Sequence, residues 1–131
     1  MNIGSLLSRN ARYRGKHEAF VIGGQRLNFD ELNSRVNIVA NALFATGIAK
    51  GEKLATVLPN CEELMLLYWA AAKTGIVIVP TSPLLQASGL VTLLNDSDTK
   101  IVFSDFSFIK MIDKMRENLP EIKKKHWILI G

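Results

Sequence analysis

The side chain best suited to nucleophilic chemistry is that of Cys61, the only cysteine of the chain. It falls in the first turn of a predicted helix, where the helix dipole can lower the pKa of a thiol. A cysteine nucleophile also needs a base, and the two histidines, His17 and His126, fall in unrelated segments. We therefore do not assign Cys61 as catalytic, and the residues by themselves identify no catalytic side chain.

Acidic residues cluster twice, at positions 62–63 and 96–98. Glu62 and Glu63 open a predicted helix, where carboxylates stabilise the helix dipole, so capping explains them better than acid–base chemistry. Asp96 and Asp98 flank a serine, but the segment lacks the spacing and the closing glutamate of a calcium loop. We interpret it as a turn between a helix and a strand, and we assign no metal ligands.

The chain has no clear phosphate-binding motif, because Gly-x-Gly-x-x-Gly is absent. Residues 47–53 superficially resemble a P-loop, but their two glycines are one residue too close and no Lys-Ser/Thr pair follows. Residues 123–126, Lys-Lys-Lys-His, are typical of a solvated turn. As a nucleic-acid-binding patch, this run lacks interleaved stacking aromatics. We therefore assign no cofactor-binding residues and no nucleic-acid partner.

Length and composition indicate one globular domain over residues 1–131, with 48% apolar and 21% charged residues and a formal net charge of +4. A single cysteine excludes an internal disulfide and favours a reducing compartment, so we expect a cytoplasmic location. Residues 1–16 carry four basic residues and no acid, which suits a mitochondrial presequence or an ordinary first helix. We adopt the first-helix interpretation. The longest apolar run is too short to cross a membrane.

Apolar spacing predicts the elements of the first half of the chain. Residues 3–13 favour a short helix with Ile3, Leu6, Leu7 and Ala11 on one side, and residues 19–29 favour a hairpin turning at Gly23-Gly24-Gln25. Asp30 is the expected N-cap of the next helix, and Gly47 is its expected end. The inward stripe of that helix is predicted to contain Leu32, Val36, Val39, Ala40, Leu43 and Phe44.

In the second half, short apolar strands alternate with helices. Strands are predicted at 54–58, 76–79, 101–103 and 127–130, and helices at 62–72, 87–95 and 106–118. Asn60 and Glu63 are expected to form a capping box, Gly75 to close that helix, and Pro80 to end the second strand. Strands that are apolar on both faces and alternate with helices imply an α/β fold, with a mostly parallel sheet flanked by helices and preceded by the hairpin.

The helix predicted at 62–72 has almost no polar face, because residues 64–69 read Leu-Met-Leu-Leu-Tyr-Trp. Such a helix needs apolar cover on all sides, which a small domain has difficulty supplying. We expect either self-association or further polypeptide packed against it.

Five short motifs, taken in order, make residues 27–104 resemble the beginning of the adenylate-forming superfamily of acyl- and aryl-CoA synthetases, fatty acyl-AMP ligases, adenylation domains and luciferases. The motifs are Asn-Phe-Asp-Glu-Leu at 28–32, Gly-Ile-Ala-Lys-Gly-Glu-Lys-Leu at 47–54, Leu-Pro-Asn-Cys-Glu-Glu at 58–63, Lys-Thr-Gly-Ile-Val-Ile-Val-Pro at 73–80 and Leu-Asn-Asp-Ser at 94–97. The chain departs from the family pattern at Gln86 and Gly89, where Thr and Glu often open the third helix.

The resemblance implies that residues 1–131 are an incomplete, N-terminal part of the larger N-terminal domain of an acid–CoA ligase. The parent would use ATP, magnesium and coenzyme A to activate a fatty or aromatic acid. The family's phosphate loop, magnesium-binding Glu, ribose-binding Asp and catalytic Lys would all lie beyond Gly131, so no catalytic role is carried over to this chain. The alternative is a freestanding, non-catalytic α/β binding or assembly module.

Overall fold

The computed structural model describes residues 2–131 and contains five α-helices, six β-strands and two short 3-10 turns within them. The chain divides into two compact units. The first comprises the residues up to Lys50 together with Asn60–Ile76, and the second comprises Gly51–Pro59 together with Val77–Gly131.

The first unit contains a hairpin and three helices. Strands β1 (Glu18–Ile22) and β2 (Gln25–Asn28) pair antiparallel around Gly23 and Gly24. Both glycines have positive φ, +54° and +80°, which a tight two-residue hairpin turn requires. The predicted hairpin is therefore confirmed, with Gln25 belonging to the second strand rather than to the turn.

Helix α2 (Phe29–Ala45) follows the hairpin directly. Its N-cap is Asn28, so the assignment of Asp30 was wrong. Asn28 Oδ1 accepts from the Glu31 amide at 2.8 Å, and Glu31 Oε2 accepts from the Asn28 amide at 2.9 Å, forming a reciprocal capping box. This pairing begins the helix before Asp30, whose carboxylate instead lies in the first turn. Gly47 lies beyond the helix end with φ of +85°, as predicted.

The buried stripe of α2 consists of Leu32, Val36, Ala40 and Leu43. Phe44 was wrongly placed inward, because 54% of its surface is exposed. Helix α1 (Gly4–Arg14) buries Gly4 and Leu7, whereas Ile3 and Leu6 are exposed, contrary to expectation. Gly4 lies on the inner face of α1, where the absence of a side chain leaves room for the backbone of Lys73, while residues 3 and 6 lie on the outer side.

Helix α3 (Glu62–Thr74) is the third helix of the first unit. Cys61 is its N-cap residue and no side chain caps it, so the predicted Asn60–Glu63 capping box is wrong. The helix ends at Gly75 with φ of +77°, as predicted. Its buried residues are Leu66, Leu67, Ala70, Ala71 and Thr74, while Tyr68 is exposed.

The second unit is built on a four-stranded parallel sheet of order β4-β3-β5-β6. Its strands are β3 (Lys53–Val57), β4 (Val77–Thr81), β5 (Thr99–Asp105) and β6 (Trp127–Ile130). Successive residues of the central strands are buried, including Leu54, Ala55, Ile101 and Val102. Because successive side chains of a strand point to opposite faces, both faces of the sheet are covered. The predicted α/β class, with a parallel sheet, flanking helices and a separate hairpin, is confirmed.

Pro80 lies inside strand β4 rather than at its end, which corrects the prediction. It stands opposite Thr56, and the strand continues to Thr81. A proline is tolerated here because β4 is an edge strand, where one side of the backbone needs no partner.

Two helices cover one face of this sheet, α4 (Ala87–Asp96) and α5 (Ile109–Arg116). The predicted helix at 106–118 is divided, because Asp105 caps a 3-10 turn at Phe106–Phe108 before α5 begins. A second 3-10 turn, Lys124–His126, precedes β6. The core on this face contains Ala55, Val57, Leu90, Leu94, Val102, Ile112, Met115, Leu119 and Ile122.

Candidate functional site

The sheet of the second unit has one topological switch point, between β3 and β5. The chain leaving β3 next enters the sheet at β4, and the chain leaving β5 enters it at β6, on the opposite side. In open parallel sheets, ligands bind outside the carboxyl ends of the two strands at such a point. The candidate position in this unit is therefore the region beyond Val57 and Asp105.

The polar groups at this edge of the sheet are bonded to backbone atoms. Buried Thr81 donates its hydroxyl to the Thr56 carbonyl at 2.6 Å, and Ser104 donates to the Asp105 carbonyl at 3.2 Å. The Asp105 carboxylate accepts the Ser107 amide at 2.9 Å. Hydrogen bonds from the Ser107 side chain and backbone lower the pKa of Asp105. These contacts close the strand ends and the turn after β5, and they form no nucleophile–base pair.

Cys61, the candidate nucleophile, is half-buried at the start of α3. Burial raises the pKa of its thiol above 9.0, and the carboxylate of Glu63 raises it further. The Leu64 and Glu63 amides act in the opposite direction but do not outweigh these effects. The thiol is therefore protonated at neutral pH, in contrast to the lowered pKa that the helix dipole alone would give.

The two histidines lie in different units. His17 is exposed between α1 and the hairpin, where its carbonyl accepts the Phe29 amide at 3.1 Å. His126 closes the 3-10 turn of the second unit. Within residues 2–131, no group of three or more His, Cys, Asp or Glu side chains is arranged to hold a metal ion.

The acidic clusters have structural partners. Glu62 forms an ion pair and hydrogen bond with Arg35, which ties α3 to α2. Asp98 adopts a φ of +54° after α4, and the neighbouring Ser97 and Thr99 hydroxyls lie 2.7 Å apart. This is the predicted turn between a helix and a strand.

A polar network that the sequence analysis missed lies between α2 and α3. Lys73 Nζ donates to Asn37 Oδ1 at 2.7 Å and also to Asn33 Oδ1. Loss of hydration lowers the pKa of Lys73 below 10.5. Asn33 and Asn37 are one helical turn apart, so their side chains can bind one common partner. This spacing is the sequence signal that could have indicated the network.

The first unit also contains an apolar groove of about 260 Å³. It lies where one face of β1 meets the half-covered side of α3. The lining residues are Phe20, Ile22, Asn60, Cys61, Leu64, Met65 and Tyr68. Helix α3, which was expected to need apolar cover on all sides, therefore leaves Leu64, Met65 and Tyr68 lining an open groove next to the Cys61 thiol.

The donor set does not fit a nucleotide–magnesium site. Magnesium prefers carboxylate oxygens, and the described residues provide no such cluster. The loop at 47–53 places Gly47 and Gly51 in left-handed turns, with no following hydroxyl residue to reach a magnesium ion. We derive no chemical step from this chain. No helix within residues 2–131 has the length and apolarity needed to cross a bilayer.

Comparisons with known proteins identify the relatives of the chain. It is 34% identical over 117 residues to the long-chain-fatty-acid–CoA ligase FadD13 of Mycobacterium tuberculosis, covering 88% of this chain and 23% of that protein. It is 32% identical over 126 residues to the mitochondrial medium-chain acyl-CoA ligase ACSF2 of Mus musculus, covering 93% of this chain and 20% of that protein. The chain thus spans about a quarter of the length of the curated relatives it matches.

Solved structures agree with these relatives. The crystal structure of the N-terminal domain of FACL13 from Mycobacterium tuberculosis superposes with a TM-score of 0.91 at 31% identity, covering 98% of this chain and 33% of that one. The Mycobacterium tuberculosis fatty acyl CoA synthetase gives a TM-score of 0.92 at 31% identity, covering 98% of this chain and 26% of that one. The family model described as AMP-binding enzyme matches residues 7–130, and the chain therefore belongs to the AMP-binding enzyme family.

Proposed function

We propose that the parent protein of this chain is an AMP-forming ligase that activates a carboxylic acid and transfers it to coenzyme A. The observation that carries the proposal is the family match over residues 7–130, together with 34% identity to a long-chain-fatty-acid–CoA ligase. In such a ligase, the carboxylate and ATP give an acyl-adenylate and pyrophosphate, and the thiol of coenzyme A then captures the acyl group.

The contribution of this chain to that reaction is structural. In-line attack on the α-phosphorus requires charge neutralisation by magnesium and basic side chains. The hydroxyls at the switch point are bonded to backbone, and the thiol of Cys61 is kept protonated. We propose that residues 1–131 form a scaffold of the ligase domain and that they do not catalyse adenylation without the rest of the parent.

The acid is proposed to be fatty or aromatic. Relatives of both kinds match to a similar extent. FadD13 is a long-chain-fatty-acid–CoA ligase, and a 4-hydroxybenzoate–CoA/benzoate–CoA ligase of Rhodopseudomonas palustris is 30% identical over 113 residues, which are 86% of this chain and 21% of that protein. The location of the parent is proposed to be cytoplasmic, and the partners of this chain are the remaining polypeptide of the ligase and its acid substrate.

Two assays test these proposals separately. The natural reading frame, expressed in full, should form pyrophosphate when a fatty or aromatic acid, ATP and magnesium are present, and it should release AMP on turnover only when coenzyme A is present as well. Failure of every acid in a panel of chain lengths and ring types would contradict the ligase assignment. The 131-residue chain alone should give no acid-dependent exchange of pyrophosphate into ATP. Measurable exchange by the pure chain would overturn its scaffold role.

The alternative function is a freestanding, non-catalytic binding or assembly module. The apolar groove lined by Phe20, Leu64, Met65 and Tyr68 favours it, because an exposed apolar strip is typical of a partner surface. The downstream coding sequence distinguishes the two functions. If the reading frame continues into a Gly-rich phosphate loop, the hypothesis of a freestanding binding module is excluded. Sedimentation of the chain would reveal self-association through this groove.

A further inference from the structure

Three strands of the parallel sheet end side by side. Thr81 of β4, Val57 of β3 and Ser104 of β5 stand next to one another in the register of the sheet. The chain therefore leaves these strands at one common edge. Neighbouring strands are about 4.8 Å apart, so the turns that follow β4 and β5 begin about 10 Å from each other. We call the surface formed by residues 82–85 and Phe106 the carboxyl edge.

Large apolar side chains are exposed at the carboxyl edge. Leu84 is 91% exposed, Phe106 is 56% exposed and Leu85 is 38% exposed. The turn that carries the two leucines is closed by hydrogen bonds of its own. The Leu84 amide donates to the Ser82 hydroxyl at 3.1 Å, and the Leu85 amide donates to the Ser82 carbonyl at 3.2 Å. The apolar side chains are therefore presented to solvent by a structured turn.

Charge is almost absent from this surface. The segments that continue from the three strands, residues 58–59, 82–86 and 105–108, contain one charged residue, Asp105. Its carboxylate accepts the Ser107 amide at 2.9 Å and is therefore directed at its own turn. An apolar surface without basic groups fits an apolar partner better than it fits a phosphate, a nucleic acid or an anionic membrane.

The last residue of the chain lies at the same edge. A Cβ atom placed on Gly131 would be 3.4 Å from the Phe106 Cβ atom, so the two residues adjoin. Polypeptide that follows residue 131 would therefore leave the sheet beside Phe106. The relatives of this chain are longer, since it covers 33% of the N-terminal domain of FACL13 and 23% of FadD13. Continuing polypeptide is thus the partner nearest to the exposed side chains.

A second copy of this chain fits the carboxyl edge less well. Three side chains expose far less than the roughly 800 Å² per partner that a stable dimer buries. Each copy also has a formal net charge of +4, which opposes association. A segment joined to the chain needs no such area, because the covalent link gives it a high effective concentration.

We propose that the carboxyl edge is the docking surface for the polypeptide that follows Gly131 in the parent protein, and that an apolar stretch of this polypeptide covers Phe106 and then Leu84. The inference rests on the proposed function in requiring a parent longer than this chain. Extended backbone advances about 3.3 Å per residue, so about three residues span the distance between the two turns. The covering stretch should therefore lie within about ten residues of Gly131.

The proposed path has a consequence for the candidate ligand position. A segment that runs from Phe106 to Leu84 crosses the end of β3, which lies between β5 and β4 in the sheet. The switch point places the candidate position beyond Val57 and Asp105, at the same edge. The docked segment would therefore form one wall of that position in the parent.

Thiol labelling of the full-length parent tests whether the edge is covered. In a Cys61→Ser background, Phe106→Cys and Leu84→Cys should react with N-ethylmaleimide at least about tenfold more slowly than a control thiol, because a covered thiol waits for local opening. The matched control is Lys100→Cys, which is exposed near the opposite end of β5. Each rate is followed by mass spectrometry and divided by the rate in denaturant. Equal normalised rates at the three positions would overturn the proposal.

Photo-crosslinking of the parent identifies what covers the edge. Phe106→p-benzoylphenylalanine should crosslink within one polypeptide, to a peptide that begins within about ten residues after Gly131. A crosslink that doubles the molecular mass would assign the edge to a second copy, and one to a distant segment would assign it to another part of the parent. Protection of the thiols only after addition of acid, ATP or coenzyme A would assign the edge to a ligand. Each of these three results overturns the proposal.

Both readouts are independent of turnover, so this inference and the proposed function can fail separately. A parent with protected thiols and the expected crosslink, but without ligase activity on any acid, would contradict the ligase assignment and support the docking surface. An active ligase in which Phe106→Cys and Leu84→Cys react as fast as Lys100→Cys would support the ligase assignment and overturn the docking surface.

Discussion

Gly4 of α1 packs directly against the backbone of Lys73 in α3. A Cβ atom placed on Gly4 would lie 2.6 Å from the Lys73 Cα atom and 2.7 Å from its backbone nitrogen. Both atoms belong to the backbone, so no side-chain rotation relieves the overlap. Gly4 has a hydrogen atom where any other residue would carry a Cβ group, and this allows the two helices to approach. The buried face of α1 is the one that contains Gly4 and Leu7.

Gly4→Ala should therefore destabilise the chain by about 1–3 kcal/mol, the usual cost of forcing an extra methyl group into a packed contact. Gly89→Ala is the matched control within a helix. Its Cβ would meet only Leu85 Cδ2 at 3.9 Å, so the gain in helix propensity should stabilise by about 0.5–1 kcal/mol. Chemical denaturation of the two variants measures both effects. Equal and favourable changes would show that α1 and α3 do not approach as closely as described.

The N-cap side chain that stabilises α2 should be that of Asn28 rather than that of Asp30. Asn28→Ala removes the acceptor for the Glu31 amide and should cost about 1 kcal/mol. Asp30→Asn keeps the side-chain shape, loses a favourable charge near the helix start and should cost about 0.5 kcal/mol or less. Urea denaturation distinguishes the two positions, and a larger loss for Asp30→Asn would contradict the capping box.

The Cys61 thiol should ionise at a pH above 9.0, because burial and Glu63 both disfavour the thiolate. The rate of iodoacetamide labelling against pH measures this midpoint. Glu63→Gln should lower the midpoint, and Glu62→Gln, whose carboxylate pairs with Arg35, should leave it unchanged. Because the pKa is raised by folding, the associated stability is fully present below about pH 9 and is lost as the pH rises through the folded pKa. A midpoint below 9.0 would exclude the described environment.

Lys73 should make the free energy of unfolding change with pH in the opposite direction. Its pKa is lowered in the folded chain, so the folded state binds fewer protons than the unfolded state in the range just below 10.5. The free energy of unfolding should therefore rise as the pH increases through this range. Lys73→Arg keeps its charge throughout, so the difference between the original chain and this variant should grow with pH. A constant difference from pH 8 to 10.5 would contradict the prediction.

The sequence by itself determined the class of the fold and the type of most elements. The six strands and the helices were predicted from local signals: apolar runs for β3 to β6, the double glycine for the hairpin, and Gly47 and Gly75 for the ends of α2 and α3. These signals are reliable because backbone conformation and side-chain periodicity act within a few residues. The ordered motifs at 28–97 also determined the family.

The tertiary structure decided the contacts between residues that are far apart in the sequence, and the burial of individual side chains. Whether Asn28 or Asp30 caps α2, and whether Pro80 can remain inside a strand, depends on the arrangement of neighbouring atoms and on the position of β4 at the sheet edge. The sharing of Lys73 between Asn33 and Asn37 joins residues that are 40 and 36 positions apart. The raised pKa of Cys61 arises from burial, which helix position alone does not predict. The buried face of α1 also depends on tertiary packing. The helix has apolar residues on several sides, and the side that carries Gly4 and Leu7 is the one packed inward, leaving Ile3 and Leu6 exposed.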